Sequence, residues 1–210
     1  MDKNYLYYHI LKKFNVSRET FPLLEEYFQS ILEENKKINL ISDKNDRNLR
    51  KRHIIDCAQI IDLIDKKQKI CTDLGSGAGL PGIVIAILLK QMNLNITVNL
   101  YEKSFHKSNF LRCISEKLKL KTQIFQKDIL EEKNLVTGSI IARAFKPLPI
   151  ILDILNKNFK NYSNLIVFMG KNGKQTLEDA SNEWEFEYKK RVSVTSKDSF
   201  LLNIKKIKKK

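Results

Sequence analysis

The chain has 210 residues, with 38 Lys or Arg against 24 Asp or Glu and a formal net charge of +14, a length that suits one domain with room for an extra lobe. A 42% apolar share supplies an ordinary core, and seven Gly with four Pro exclude a collagenous or low-complexity chain. No uncharged apolar run nears the ~20 residues of a membrane span, and residues 1–14 lack the basic–apolar–small order of a signal peptide.

The first third reads helical. Residues 5–14 form a short amphipathic stretch, and Ser17 or Thr20 is placed to cap a longer helix that tolerates Pro22 near its start. Phe21, Leu24, Phe28, Ile31, Leu32 and Ile38 then recur at helical spacing. A third helix is expected over 47–64, with Leu49, Cys57, Ile60, Ile61 and Ile64 available for burial. From residue 70 the pattern changes. Strands are expected over 70–74, 96–101, 121–126, 139–142 and 164–169, with helices over 81–92, 105–118 and 147–159 between some of them. This alternation predicts an α/β fold with a mostly parallel sheet wrapped by helices. Two closing strands, over 184–194 and 199–204, predict an antiparallel pair at one edge. The expected organisation is a helical extension over 1–66, an α/β domain over 67–204 and a basic tail over 205–210, where five of six residues are Lys.

The charge is unevenly spread. Between Lys103 and Lys127 seven basic residues face Glu116 alone, and between Ile140 and Lys174 six face Asp153 alone. Basic segments inside a folded core suit a polyanionic partner, although a lysine-rich composition would also produce them. Cys57, Cys71 and Cys113 are odd in number and widely spaced, which disfavours a disulfide framework or zinc site and suits the cytoplasm.

The strongest local motif runs Asp73-Leu74-Gly75-Ser76-Gly77-Ala78-Gly79-Leu80-Pro81-Gly82, between an expected strand and an expected helix. Its glycines allow a tight turn and close approach of a ligand to bare backbone. The spacing is G-x-G-x-G rather than the G-x-G-x-x-G of dinucleotide enzymes, which disfavours a nicotinamide oxidoreductase. Asp73 is placed to accept from a ligand ammonium, and Pro81 suits a first helical position. Glu102 closes the second strand, where an acidic residue accepts from ribose hydroxyls in nucleotide-binding folds. Asp128-Ile129 follows the third strand and can hold an adenine; a helix-capping Asp is the equal alternative. Arg143 follows the fourth strand, between two alanines and ahead of Phe145, Lys146 and Pro147. An Arg there can pair a phosphate or carboxylate, and Phe145 either stacks on a base or packs in the core. His53 and Asp56 share one helix face, with His53 open to a structural or functional role.

These residues carry a resemblance. The chain resembles the RsmG (GidB, glucose-inhibited division protein B) methyltransferases of bacterial small-subunit ribosomal RNA. The matching elements are Lys37-Ile38-Asn39-Leu40, Arg52-His53-x-x-Asp56-Cys57, the Asp73–Gly82 loop, Glu102 with Lys107 and Phe110-Leu111, Arg143-Ala144-Phe145-x-Pro147-Leu148, and the Trp184 region. The resemblance implies a seven-stranded Rossmann-like class I methyltransferase fold, S-adenosylmethionine (SAM) as cofactor, and N7 of a guanosine in 16S rRNA, free or in a ribosomal particle, as acceptor. Carried over by position, Gly79, Val84, Asp128, Ile129 and Arg143 would contact the cofactor, with Gly75, Ser76, Gly77 and Glu102 in the same crevice and Arg143 as the catalytic candidate. Arg52, His53, Lys107, Phe145, Lys146 and Lys171 are the RNA-facing candidates. No metal is expected, and a cytoplasmic monomer is. The chain departs from the family at Cys57, usually Ser, at Ile41, often Thr, beside Asp128, where a Glu is usual, and at Gly170-Lys171, which reverses a Lys-Gly pair. Guanine N7 has an in-plane lone pair and no proton, so attack on a sulfonium methyl needs no general base, only alignment with reacting atoms about 3–3.5 Å apart. The alternatives left open are a class I methyltransferase acting on another RNA position or a protein, and a non-catalytic RNA-binding module.

Overall fold

The computed structural model describes residues 3–41 and 49–210. Lys3–Phe14 winds as a 3₁₀ helix, and α1 (Phe21–Glu34) follows a short 3₁₀ turn at Arg18–Thr20. Neither expected cap bonds the helix backbone: the Ser17 and Thr20 hydroxyls lie 3.3 Å from each other instead. Pro22 does fall in the first turn of α1. The third helix is shorter than 47–64. Helical backbone covers 49–58, wide-turned over Arg50–Ile55, and loosens into turns beyond it. Its expected first residue, Arg47, lies outside the described residues.

The α/β part contains β1 (Ile70–Leu74), α2 (Gly82–Gln91), β2 (Thr97–Tyr101), α3 (Phe105–Lys117) and β3 (Thr122–Phe125). It continues through β4 (Leu135–Val136), β5 (Ser139–Ala142), α4 (Leu148–Asn158), β6 (Phe159–Asn161), β7 (Asn164–Met169), α5 (Gly173–Glu183), β8 (Trp184–Val192) and β9 (Phe200–Lys209). Seven strands form one sheet in the order β3-β2-β1-β5-β7-β9-β8, and β4 pairs with β6 separately. Pairings among β1, β2, β3, β5 and β7 are parallel, and β9 is antiparallel to both neighbours. This is the mostly parallel sheet with an antiparallel edge pair that the pattern predicts, and its seven strands have the Rossmann-like arrangement that the resemblance implies. Strand order reverses between β1 and β5, where Leu74 pairs with Ala142, and a ligand crevice opens at the carboxyl ends of such a pair.

Period-two alternation explains the layering. Ile140, Leu165, Val167 and Leu202 face one core with α4 and α5, while Ile141, Ile166 and Leu201 face the other with α2 and α3. Leu24, Tyr27, Phe28 and Ile31 of α1 belong to that second core, so the N-terminal helices seal one face of the sheet.

The expected basic tail is a strand. β9 runs to Lys209 because buried Leu202 and Ile204 anchor it and its lysines find acidic neighbours. Lys205 and Lys208 pair across the sheet with Glu187 and Glu185, Lys206 Nζ lies 2.7 Å from Glu187, and Lys209 Nζ lies 3.4 Å from Asp153.

Candidate active site

The loop after β1 is bent by Gly75, Gly77 and Gly79, at φ +66°, +56° and +90°. Those values favour glycine because a Cβ there crowds the following carbonyl. Ser76 N–H donates to Tyr101 O at 2.9 Å, and Gly77 N–H donates to Glu102 Oε2 at 2.9 Å. The Tyr27 hydroxyl reaches from α1 to donate to Ala78 O at 2.7 Å. The loop is thereby held from β2 on one side and from the N-terminal helices on the other.

Asp73 differs from its expected role. It is 1% exposed, and Oδ2 accepts from Gly82 N–H at 3.0 Å, so it ties α2 to β1 rather than facing a ligand. A Cβ on Gly82 would fall 2.6 Å from that oxygen, which explains the glycine. Pro81 stands just before α2, across a cis Leu80–Pro81 bond. Burial pushes the Asp73 carboxyl up to about 7, against the opposing pull of Gly82 N–H, Ser76 and Arg143. Its unfolded value is about 3.9, so between about pH 4 and 7 the folded chain binds more protons than the unfolded one. Asp73 therefore favours the fold below that window, and this contribution is lost as pH rises through it. Asp73→Asn keeps an acceptor for Gly82 N–H and does not titrate. Urea denaturation from pH 4.5 to 8 is expected to show a smaller stability loss in the variant than in the wild type; parallel curves would contradict the assignment.

A cavity of about 330 Å³ opens at the carboxyl ends of β1 and β2. Gly75, Glu102, Asp128, Ile129, Phe145 and Lys146 line it, with Tyr101, Lys103, Leu130 and Ala144. Its size falls within the range of small-molecule sites. Glu102 is largely buried; Oε1 also accepts from Ser104 N–H at 2.8 Å, which fixes the carboxylate at the rim. Asp128 combines both readings of it. It lines the cavity and also caps the following turn, accepting from Leu130 N–H at 3.2 Å. Asn158 of α4 secures that turn by donating to the carbonyls of Ile129 and Leu130 at 2.9 and 3.2 Å. The Phe145 ring lies over Gly75, where a Cβ would fall 2.3 Å from it.

A second cavity of about 440 Å³ adjoins at the ends of β5 and β7. It is lined by Lys146, Pro147, Phe168 and Lys171, among others. Lys146 borders both cavities.

The structure brings Gly75, Glu102, Asp128, Ile129, Phe145 and Lys146 together. It does not bring the other candidates to the first cavity. Val84 is fully buried within α2, whose residues from Gly82 to Leu89 are all buried, so it faces core rather than ligand. Gly79 packs on Ile83 and Leu111, and Ser76 is buried. A Cβ on Gly77 would meet only Gly75 O, at 3.9 Å. Arg143 turns toward the N-terminal segment, with Nε 3.4 Å from Asp56 Oδ2 and an Nη donating to Arg52 O at 2.8 Å. Arg52 is exposed, His53 is half-buried on the same segment, Lys107 lies in the first turn of α3, and Lys171 lines the second cavity. Sequence reasoning missed Tyr27 and Asn158: each acts through a contact distant in sequence, for which no local pattern exists. Among the described residues no group of His, Cys, Asp and Glu could hold a metal ion, and no helix is long and apolar enough to cross a membrane.

The family model described as rRNA small subunit methyltransferase G matches residues 20–204. A ribosomal RNA small subunit methyltransferase G from Pelagibacter ubique is 52% identical over 212 residues, covering 100% of both chains. One from Bartonella tribocorum is 34% identical, covering 92% of this chain and 91% of that protein. Among solved structures, a SAM-dependent methyltransferase from Aquifex aeolicus superposes with a TM-score of 0.56 at 16% identity, covering 82% of this chain and 97% of that one, a likeness of fold.

Proposed function

Because the chain belongs to the rRNA small subunit methyltransferase G family, its reaction is SAM-dependent methyl transfer to guanine N7 in small-subunit (16S) ribosomal RNA, and we propose which residues carry it. The cavity beside Gly75 holds the cofactor, and the adjoining cavity at Lys146 and Lys171 receives the RNA. The observation that supports this most is Glu102. Its buried carboxylate is anchored by two backbone N–H groups and borders a nucleoside-sized cavity, with the Asp128–Ile129 turn also in the lining.

When bound, SAM supplies an electrophilic methyl group on a sulfonium. Glu102 accepts from the ribose hydroxyls, Ile129 covers the adenine, and Asp128 or its neighbouring backbone reads the adenine amino group. Gly75, Ser76 and Gly77 shape the backbone floor of that crevice, and Gly79 and Val84 support it from the core. Phe145 closes over Gly75 and excludes water at the junction of the two cavities. Lys146 and Lys171 hold RNA phosphates, with Arg52, His53 and Lys107 extending that surface. Arg143 lines neither cavity; we place it on the acceptor side because its guanidinium lies 5.8 Å from the ring centroid of Phe168, one of the residues lining the second cavity. No general base is required, since N7 offers a lone pair and carries no proton.

The working form we propose is a monomer in the cytoplasm, acting on free RNA or a ribosomal particle. Incubation with methyl-labelled SAM and small-subunit RNA, followed by nucleoside mass analysis, is expected to yield 7-methylguanosine; label in another nucleoside would overturn the acceptor assignment. Affinity for RNA is expected to fall steeply with salt, by about tenfold or more between 50 and 200 mM, while SAM affinity stays flat. Several lysines are already paired, as Lys117 is with Glu26 at 3.3 Å and Lys127 with Glu132 at 2.9 Å, so the slope reports fewer phosphates than the net charge suggests. An RNA affinity insensitive to salt would show that the +14 charge is compositional.

A further inference from the structure

Asp56 sits where three distant parts of the chain meet. Its Oδ1 accepts from Gln59 Nε2 at 2.7 Å and from the hydroxyls of Ser193 and Thr195, each at 2.9 Å. Its Oδ2 faces Arg143 Nε at 3.4 Å. Gln59 reinforces the junction by accepting from Val194 N–H at 3.1 Å. Residues 193–199 form the turn between β8 and β9. Phe200 pairs with both Met169 and Val192, so this turn lies at the carboxyl end of β7, on the crevice edge of the sheet. The Asp56 and Arg143 side chains are 15% and 19% exposed, so their attraction is screened less than a surface pair would be.

We propose that Asp56 is a positioning residue for methyl transfer. It fixes the Arg143 guanidinium near Phe168, which lines the acceptor-side cavity, and ties that arrangement to the β8–β9 turn. The proposal rests on the placement of Arg143 at the acceptor side of the reacting crevice. An Arg side chain released from its partner samples many rotamers, and fixing it beforehand removes that entropy from the barrier. The division of labour within the carboxylate is what makes this testable. Three of the four contacts fall on Oδ1, which Asn reproduces; the fourth falls on Oδ2, which Asn replaces with a donor facing a donor.

The experiment compares Asp56→Asn, Arg143→Lys and the double variant in steady-state turnover, with SAM affinity by calorimetry and thermal denaturation as a check on folding. Asp56→Asn is expected to lower kcat about fivefold to tenfold while KM for RNA and the SAM Kd stay within about twofold of wild type. The double variant is expected to be no slower than Arg143→Lys beyond about twofold, since both substitutions act on one group. Wild-type kcat in Asp56→Asn beside a slow Arg143→Lys would overturn the positioning role and leave the Arg143 assignment standing. Wild-type kcat in Arg143→Lys would overturn both. Multiplying defects in the double variant would show that Asp56 acts apart from Arg143. If Asp56→Asn fails to fold, Ser193→Ala with Thr195→Val releases the turn from Oδ1; an unchanged kcat there would remove the proposed coupling of the turn.

Discussion

Glu102→Gln is expected to weaken SAM binding by at least about tenfold, or ~1.4 kcal/mol, with RNA affinity unchanged. The wild-type carboxylate has two acceptor oxygens, and each already receives one backbone N–H, from Gly77 and from Ser104. Each oxygen retains a lone pair for a ribose hydroxyl. A Gln side chain offers only one acceptor oxygen, so its amide nitrogen must meet either Gly77 N–H or Ser104 N–H, donor against donor. A contact to a charged acceptor contributes about 1.5–3 kcal/mol, so losing the one to the ligand reaches the tenfold threshold by itself. The glycine loop would also relax, because Gly77 N–H is among the bonds that hold it toward β2. Calorimetry measures the effect directly. A wild-type Kd in a folded Glu102→Gln protein would remove the ribose assignment, and with it the strongest support for placing the cofactor in this cavity.

The features of the molecule legible in its sequence are those with local periodicity or local composition. The alternation of 70–74, 96–101, 139–142 and 164–169 with helical stretches gave the parallel sheet, and four glycines between Gly75 and Gly82 marked the turn after β1. Glu102 and the Asp128–Ile129 pair were legible because strand ends on one edge of a parallel sheet converge. The role of Asp73 was not legible, because it depends on which way one side chain turns after a strand, and the bond from Gly82 N–H decides that. Val84 was not locally legible as a crevice or core residue, because α2 is apolar on every side and position along the helix does not say which residue approaches the crevice. The 205–210 segment looked like a solvated tail because its composition hides the Glu185 and Glu187 partners lying across the sheet. Asp56 could be seen as a neighbour of His53, but its contacts to Arg143, Ser193 and Thr195 span 87, 137 and 139 residues and follow only from the folded topology.

Arg143→Lys is expected to keep the fold and most RNA affinity while slowing methyl transfer at least about tenfold, equivalent to ~1.4 kcal/mol of transition-state stabilisation. The guanidinium is shared between two anchors in different directions, Asp56 Oδ2 through Nε and Arg52 O through an Nη. A planar fork can satisfy both at once; a Lys ammonium is a point charge on a shorter span and cannot reproduce that geometry. Lys would keep the positive charge, so long-range attraction of RNA survives and the loss appears in turnover rather than in binding. Position strengthens the expectation. Arg143 follows β5, whose Ala142 pairs with Leu74 at the reversal of strand order, and Ala144 beside it holds a φ of +50°. That conformation is uncommon for a residue with a Cβ, and strained backbone of this kind persists where surrounding contacts over-determine it. The competing reading is that Arg143 only fastens the N-terminal segment to the sheet. In that case Arg143→Lys lowers the melting temperature and leaves kcat at wild type below it. Single-turnover transfer from labelled SAM, measured well below the melting transition of both proteins, separates the two: a slow step in a fully folded variant places Arg143 at the crevice, and a wild-type rate assigns it to the fold alone.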